Sequence, residues 1–85
     1  MRVTVLLFAG LRDAVGAAEI PLSLHTGAKV ADAWRALAAT HPAVAPYATT
    51  VSCARNSEYA RMGDPVADGD EIAFLPPVSG GAPHL

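Results

Sequence analysis

Few residues of this 85-residue chain have the type and spacing that chemistry needs. His25, His41 and His84 stand 16 and 43 residues apart with no pair of cysteines near them. They lack the local spacing of a zinc site and read as solvated loop residues. Cys53 is the only cysteine, so an internal disulfide and an iron–sulfur cluster held by four cysteines are both excluded. Its inward strand position favours an inert core thiol over a nucleophile. Asp64, Asp68, Asp70 and Glu71 cluster where the chain turns, and turn chemistry explains them more simply than cation binding. Gly80-Gly81 follows a strand but opens no helix, so it is not a phosphate loop. Neither a catalytic set, nor a metal site, nor a bound cofactor is expected.

What remains is the end of the chain, DGDEIAFLPPVSGGAPHL from Asp68 to Leu85. A tight turn feeds a short apolar strand, Glu71 to Leu75, and Pro76-Pro77 ends any sheet pairing because proline donates no backbone hydrogen bond. Beyond them Val78, Ser79, Gly80 and Gly81 have little side chain to pack. Glycine backbone lies extended in a channel too narrow for a Cβ, which suits a tail inserted into another protein's active site. The expected organisation is one domain over residues 1–77 and a flexible tail over 78–85.

The elements that must position this tail follow from periodicity. Arg2 to Ala9 reads as a strand with Val3, Val5 and Leu7 on one face and Thr4, Leu6 and Phe8 on the other. Residues 10–16 read as a loop or a single helical turn. Glu19 to Leu24 alternates with Ile20, Leu22 and Leu24 inward, and Pro21 makes it an edge strand. Val30, Ala33, Trp34, Leu37 and Ala38 form one apolar helical stripe, ended by Pro42. Lys29 stands where an N-cap oxygen is wanted, leaving Thr26 or Asp32 to compensate. Residues 44–50 read as a loop, Val51 to Arg55 as a strand, Tyr59 to Met62 as a short fourth strand, and Glu71 to Leu75 as the last. The expected fold is α+β, a β-grasp: a mixed sheet packed on one main helix, with the first and last strands parallel neighbours in its middle. In that sheet Phe8 and Leu75 point away from the helix and Tyr59 joins them, three large apolar groups that suggest a docking patch.

Composition bounds the partners. Six basic and eight acidic residues without a basic run argue against nucleic acid and anionic membrane. No stretch approaches the roughly 18 apolar residues of a membrane span. Arg2 followed by VTVLLFAGL has the apolar run of a secretory leader, but cleavage there would remove the best strand. A buried first strand in a cytoplasmic protein is therefore expected.

The residues GDEIAFLPPVSGG, with VTVLLFAGLRD at the start and the helix VADAWRALA, resemble the small subunits of molybdopterin synthase, a family of ubiquitin-like sulfur carriers, over residues 1–81. The resemblance implies that an E1-like adenylating enzyme uses ATP to activate the carboxylate of Gly81. A persulfide donor then leaves a thiocarboxylate, which the synthase large subunit, its partner in a heterotetramer, uses to build the dithiolene. Gly81 would carry the sulfur and Gly80 would give clearance. Pro76, Pro77 and Val78 would set the reach, and Phe8, Tyr59 and Leu75 would dock both partners. Two features depart from the family pattern: Lys29 at the helix cap, and Ala82-Pro83-His84-Leu85 after the diglycine. The second blocks the chemistry, because the Gly81 carbonyl is then held in an amide. The expectation is a precursor, trimmed after Gly81 by a processing zinc metalloprotease, or an extension foreign to function. Carriers for thiamin or cysteine synthesis and ubiquitin-like protein modifiers use the same tail chemistry and stand as alternatives.

Overall fold

The computed structural model describes residues 1–77. Five strands, β1 (Arg2–Leu7), β2 (Glu19–Ser23), β3 (Ser52–Arg55), β4 (Glu58–Ala60) and β5 (Glu71–Leu75), form one sheet in the order β2-β1-β5-β3-β4. β1 and β5 pair in parallel, with Val5 beside Ile72 and Leu7 beside Phe74. Every other pairing is antiparallel. The two parallel strands thus lie inside the sheet, as topology rules require of the first and last strands here.

The sheet is covered on one side by α2 (Val30–Thr40), which buries Val30, Ala33, Trp34 and Leu37. These meet Val5, Leu7, Ile72, Phe74 and Cys53 from the sheet in a single core. Trp34 packs edge to face on Phe74, ring centroids 5.0 Å apart at 72°, the geometry that aligns an aromatic edge with a neighbouring face. The start of α2 has no side-chain oxygen at Lys29. Of the two residues the sequence offered in its place, Asp32 serves, its Oδ2 accepting the Lys29 N–H at 2.8 Å. The next two orphan donors are met from a distance, Val30 N–H by the Asp64 carbonyl and Ala31 N–H by Met62, each at 2.9 Å. A loop thirty residues downstream therefore completes the cap.

Three expectations need correction. Residues 10–16 are not a loop or a single turn but most of a two-turn helix, α1 (Ala9–Val15), which buries Leu11 and ends at Gly16 in the left-handed conformation, φ 84°. Strand β1 stops at Leu7, so Phe8 is the residue before α1 rather than a strand residue. Residues 44–50 are not wholly a loop, since Pro42–Tyr47 forms a 3-10 helix with Pro42 in its first turn and Val44 buried.

The turn before β5 is held by Asp70, the one charged residue among the buried ones described. Its carboxylate accepts Asn56 Nδ2 at 3.0 Å and the Ala67 N–H at 2.8 Å, with Arg55 Nη1 at 3.6 Å. Asn56 accepts the Glu71 N–H on Oδ1 at 2.9 Å, locking the β3–β4 turn to the start of β5. The Asn56 side chain, then the Ala67 N–H, hold the Asp70 carboxyl below its usual range. A carboxyl that ionises more readily folded than unfolded stabilises the fold above about pH 4, and that contribution disappears as pH falls through its lower folded value. Asp70→Asn should cost about 1–3 kcal/mol near neutral pH, because an amide turns a donor toward a donor. Urea titrations from neutral pH down to acid should show a smaller loss of stability for the variant than for the parent. An equal loss in both would take Asp70 out of the acid limb.

Candidate functional site

The C-terminal end of β5 leads into an open apolar hollow of about 550 Å³ lined by Phe8, Ala9, Gly10, Tyr47, Leu75, Pro76 and Pro77. Each wall has a local cause. Pro76 and Pro77 end the sheet pairing, so β5 delivers the chain out of the sheet at this point. Ala9 has φ 48°, a conformation that strains an L-residue, and there the chain turns from β1 into α1, leaving Phe8 on the rim and 43% exposed. Tyr47, at the end of the 3-10 helix, lays its hydroxyl over Gly10, where a Cβ would sit 2.7 Å from Oη. Only glycine lets the phenol lie so close to α1.

Phe8 and Leu75, expected from the sequence to share a patch, line this hollow together, and Pro76 and Pro77, read from the sequence as setting the reach of the tail, line it too. Tyr59 is not with them. Register carries the outward face of the sheet in one row from Leu6 through Ala73 and Ala54 to Tyr59, so Tyr59 shares Leu75's face but stands two strands away on the β4 edge. It is 90% exposed and lines a separate, smaller hollow with Arg55, Glu58, Asp64 and Pro65. Ala9, Gly10 and Tyr47 also line the hollow and were not named from the sequence. The spacing of Leu11, Ala14 and Val15 is the helical signal that would have put Gly10 inside a helix rather than a loop. Val78, Gly80 and Gly81, named from the sequence as tail residues, lie outside the described residues.

The other candidates for chemistry are engaged structurally. Cys53 is buried, its Sγ donating to the Ala60 carbonyl at 3.2 Å, and burial, then the Asp64 carboxylate, push the thiol above its usual range. A thiol so held is a poor nucleophile. Asp64 accepts the Arg61 N–H and Asp68 the Arg2 N–H, as turn carboxylates do. His25 sits exposed 3.9 Å from Asp32, and His41 Nδ1 meets Thr40 Oγ1 at 3.0 Å. Among the described residues no three His, Cys, Asp or Glu side chains gather as a metal site would need, and no helix is long and apolar enough to cross a membrane.

A mixed five-stranded sheet packed on the main helix α2, with its last strand inside the sheet and ending at the wall of an apolar hollow, defines a ubiquitin-like β-grasp protein. The chain belongs to the ThiS family, whose model matches residues 5–81. It is 41% identical over 83 residues to the molybdopterin synthase sulfur carrier subunit of Chlamydomonas reinhardtii, covering 95% of this chain and 100% of that one. It is 36% identical over 83 residues to small archaeal modifier protein 1 of Haloferax volcanii, covering 88% and 95%. The crystal structure of SAMP1 from the same organism matches with a TM-score of 0.84 at 33% identity, covering 95% of this chain and 100% of that one.

Proposed function

We propose that this protein is a sulfur carrier, the small subunit of a molybdopterin synthase, that works through the carboxylate of Gly81. A terminal carboxyl group ionises with a pKa of about 3.5, so at neutral pH it is an anion and a poor electrophile. An E1-like adenylating enzyme first joins it to AMP from ATP, releasing pyrophosphate. A persulfide sulfur then displaces AMP, and a thiol cleaves the sulfur–sulfur bond to leave the thiocarboxylate. The carrier inserts this end into the synthase large subunit, gives its sulfur to the pterin precursor, and leaves with an ordinary carboxylate. The chain needs no cofactor of its own for these steps, since ATP and the catalytic groups belong to the partners. The observation that carries this reading is that β5, inside the sheet, ends at the hollow lined by Phe8, Leu75, Pro76 and Pro77, on a chain whose relatives include a subunit of that name.

The docking surface in this reading is centred on Phe8 and Leu75, with Tyr59 as a separate contact on the same sheet face. Exposed aromatic anchors dominate interface energies, so Phe8→Ala should weaken the complex with the large subunit by roughly 2 kcal/mol. Calorimetric titration measures the affinity, and unfolding of the variant should match the parent because the Phe8 ring lies outside the core. Unchanged affinity with Phe8, Tyr59 and Leu75 replaced in turn would remove the surface from the account. The functional test is to give the thiocarboxylate form to purified large subunit with the pterin precursor. Sulfur must leave Gly81 and molybdopterin must form.

A second reading is favoured by the similarity to small archaeal modifier protein 1. The same acyl-adenylate, attacked by a lysine amine instead of a persulfide, would attach Gly81 to another protein. Finding this chain covalently bound to other proteins in its own cells would support that reading.

A further inference from the structure

We propose, resting on the reading that the synthase large subunit docks at the hollow beside β5, that Tyr47 is a specificity-determining residue of that interface. Its hydroxyl selects a partner segment that sets an apolar side chain into the hollow and a main-chain amide or carbonyl against the phenol oxygen. The rest of the hollow is hydrocarbon. Phe8, Ala9, Leu75, Pro76 and Pro77 bring no polar side-chain atom to its walls, and the two prolines have no N–H to offer. Tyr47 Oη is the one polar side-chain atom among the lining residues.

The phenol is held in place at both ends. At its base, the Tyr47 carbonyl accepts the Thr50 and Val51 N–H groups at 3.0 and 2.8 Å. At its tip, Gly10 makes the room. Gly10 stands in the first turn of α1, where alanine would form the better helix. A Cβ at that position would lie 2.7 Å from Oη, inside any normal contact, yet 3.6 Å from Cζ, which is ordinary packing. The ring alone would therefore tolerate alanine, and what the glycine accommodates is the hydroxyl. That hydroxyl has no hydrogen-bond partner among the described residues, and no buried side-chain oxygen or nitrogen there goes unpaired, so Oη faces solvent.

Docking strips water from Oη. A phenol oxygen left unpaired in an apolar interface costs its lost hydration, whereas one that meets a partner group recovers it. A hydroxyl both donates and accepts, so a main-chain carbonyl or amide serves equally. A segment that presents hydrocarbon alone is rejected, as a site built to hydrogen-bond rejects a ligand that lacks the group. Phe8 and Leu75 supply the apolar contact, and Tyr47 decides which apolar segment is accepted.

The test is a double-mutant cycle on binding to purified large subunit, read by calorimetric titration, with urea unfolding of each variant alongside. Tyr47→Phe keeps the ring and removes only the hydroxyl, and it should weaken binding by about three- to tenfold while leaving stability as in the parent. Gly10→Ala should push the tip of the phenol aside and weaken binding by a similar factor without loss of stability. In the Tyr47→Phe background Gly10→Ala should then cost nothing further, because no hydroxyl remains to displace. Equal affinity of parent and Tyr47→Phe would overturn the role of Tyr47 and leave the sulfur-carrier reading intact. A loss of stability in Tyr47→Phe would overturn it too, by making the hydroxyl a structural group, as would an equal loss of binding from Gly10→Ala in both backgrounds, by making the added methyl the obstacle. A parent chain with no affinity for the large subunit would overturn the sulfur-carrier reading itself and the role of Tyr47 with it.

Discussion

Shortened to end at Gly81, the protein should support ATP–pyrophosphate exchange on its adenylating enzyme, whereas the 85-residue chain should give no exchange above background. In the longer chain the Gly81 carbonyl is an amide to Ala82, which has no anionic oxygen to attack phosphorus. The difference is one of presence and absence rather than degree. Adding a zinc metalloprotease that cleaves after the diglycine should restore exchange to the long chain. Formation of a thiocarboxylate on a chain that still holds Ala82 to Leu85 would show that Gly81 does not have the role given to it.

Replacing Leu37 by alanine should destabilise the fold by about 2–5 kcal/mol, the cost of a cavity where a fully buried leucine stood. Leu37 lies on the α2 stripe with Val30, Ala33 and Trp34, and that stripe is the cover of the inward sheet face. A domain this small has a single core, so the loss is a large share of its total stability. Urea unfolding followed by Trp34 fluorescence reads it directly, since Trp34 packs on Phe74 across the helix–sheet interface. A loss well under about 1 kcal/mol would mean that α2 is not the element that closes the core.

The inward half of this fold is legible in sequence because two periods survive intact. The spacing of Val30, Ala33, Trp34 and Leu37 admits only a helix, and the alternation of Val3, Val5 and Leu7 sorts β1 by face. What failed was local. Gly10, inside the first turn of α1, and Gly16, at its end, read as loop residues, but Gly10 is there for the close approach of Tyr47 and Gly16 for a left-handed helix end. Phe8 continues the β1 pattern by type, yet the positive φ of Ala9 takes the chain out of the strand, and no residue preference announces that at an alanine. The grouping of Phe8 and Leu75 apart from Tyr59 was half legible for a similar reason. Period 2 gives the direction of Leu75 and Tyr59 but not the distance between them, which depends on β3 lying between β5 and β4. The cap of α2 by Met62 and Asp64 is a tertiary contact and has no local pattern to read.

The central claim is that Gly81 carries sulfur as a thiocarboxylate. Its most direct test is the intact mass of the protein recovered from its own cells, with the C-terminal peptide sequenced by fragmentation. The expected result is a population ending at Gly81 in which one oxygen of the terminal carboxylate is replaced by sulfur. Recovery only of chains that keep Ala82 to Leu85, or that end at Gly81 with an ordinary carboxylate under conditions of active molybdopterin synthesis, would contradict it.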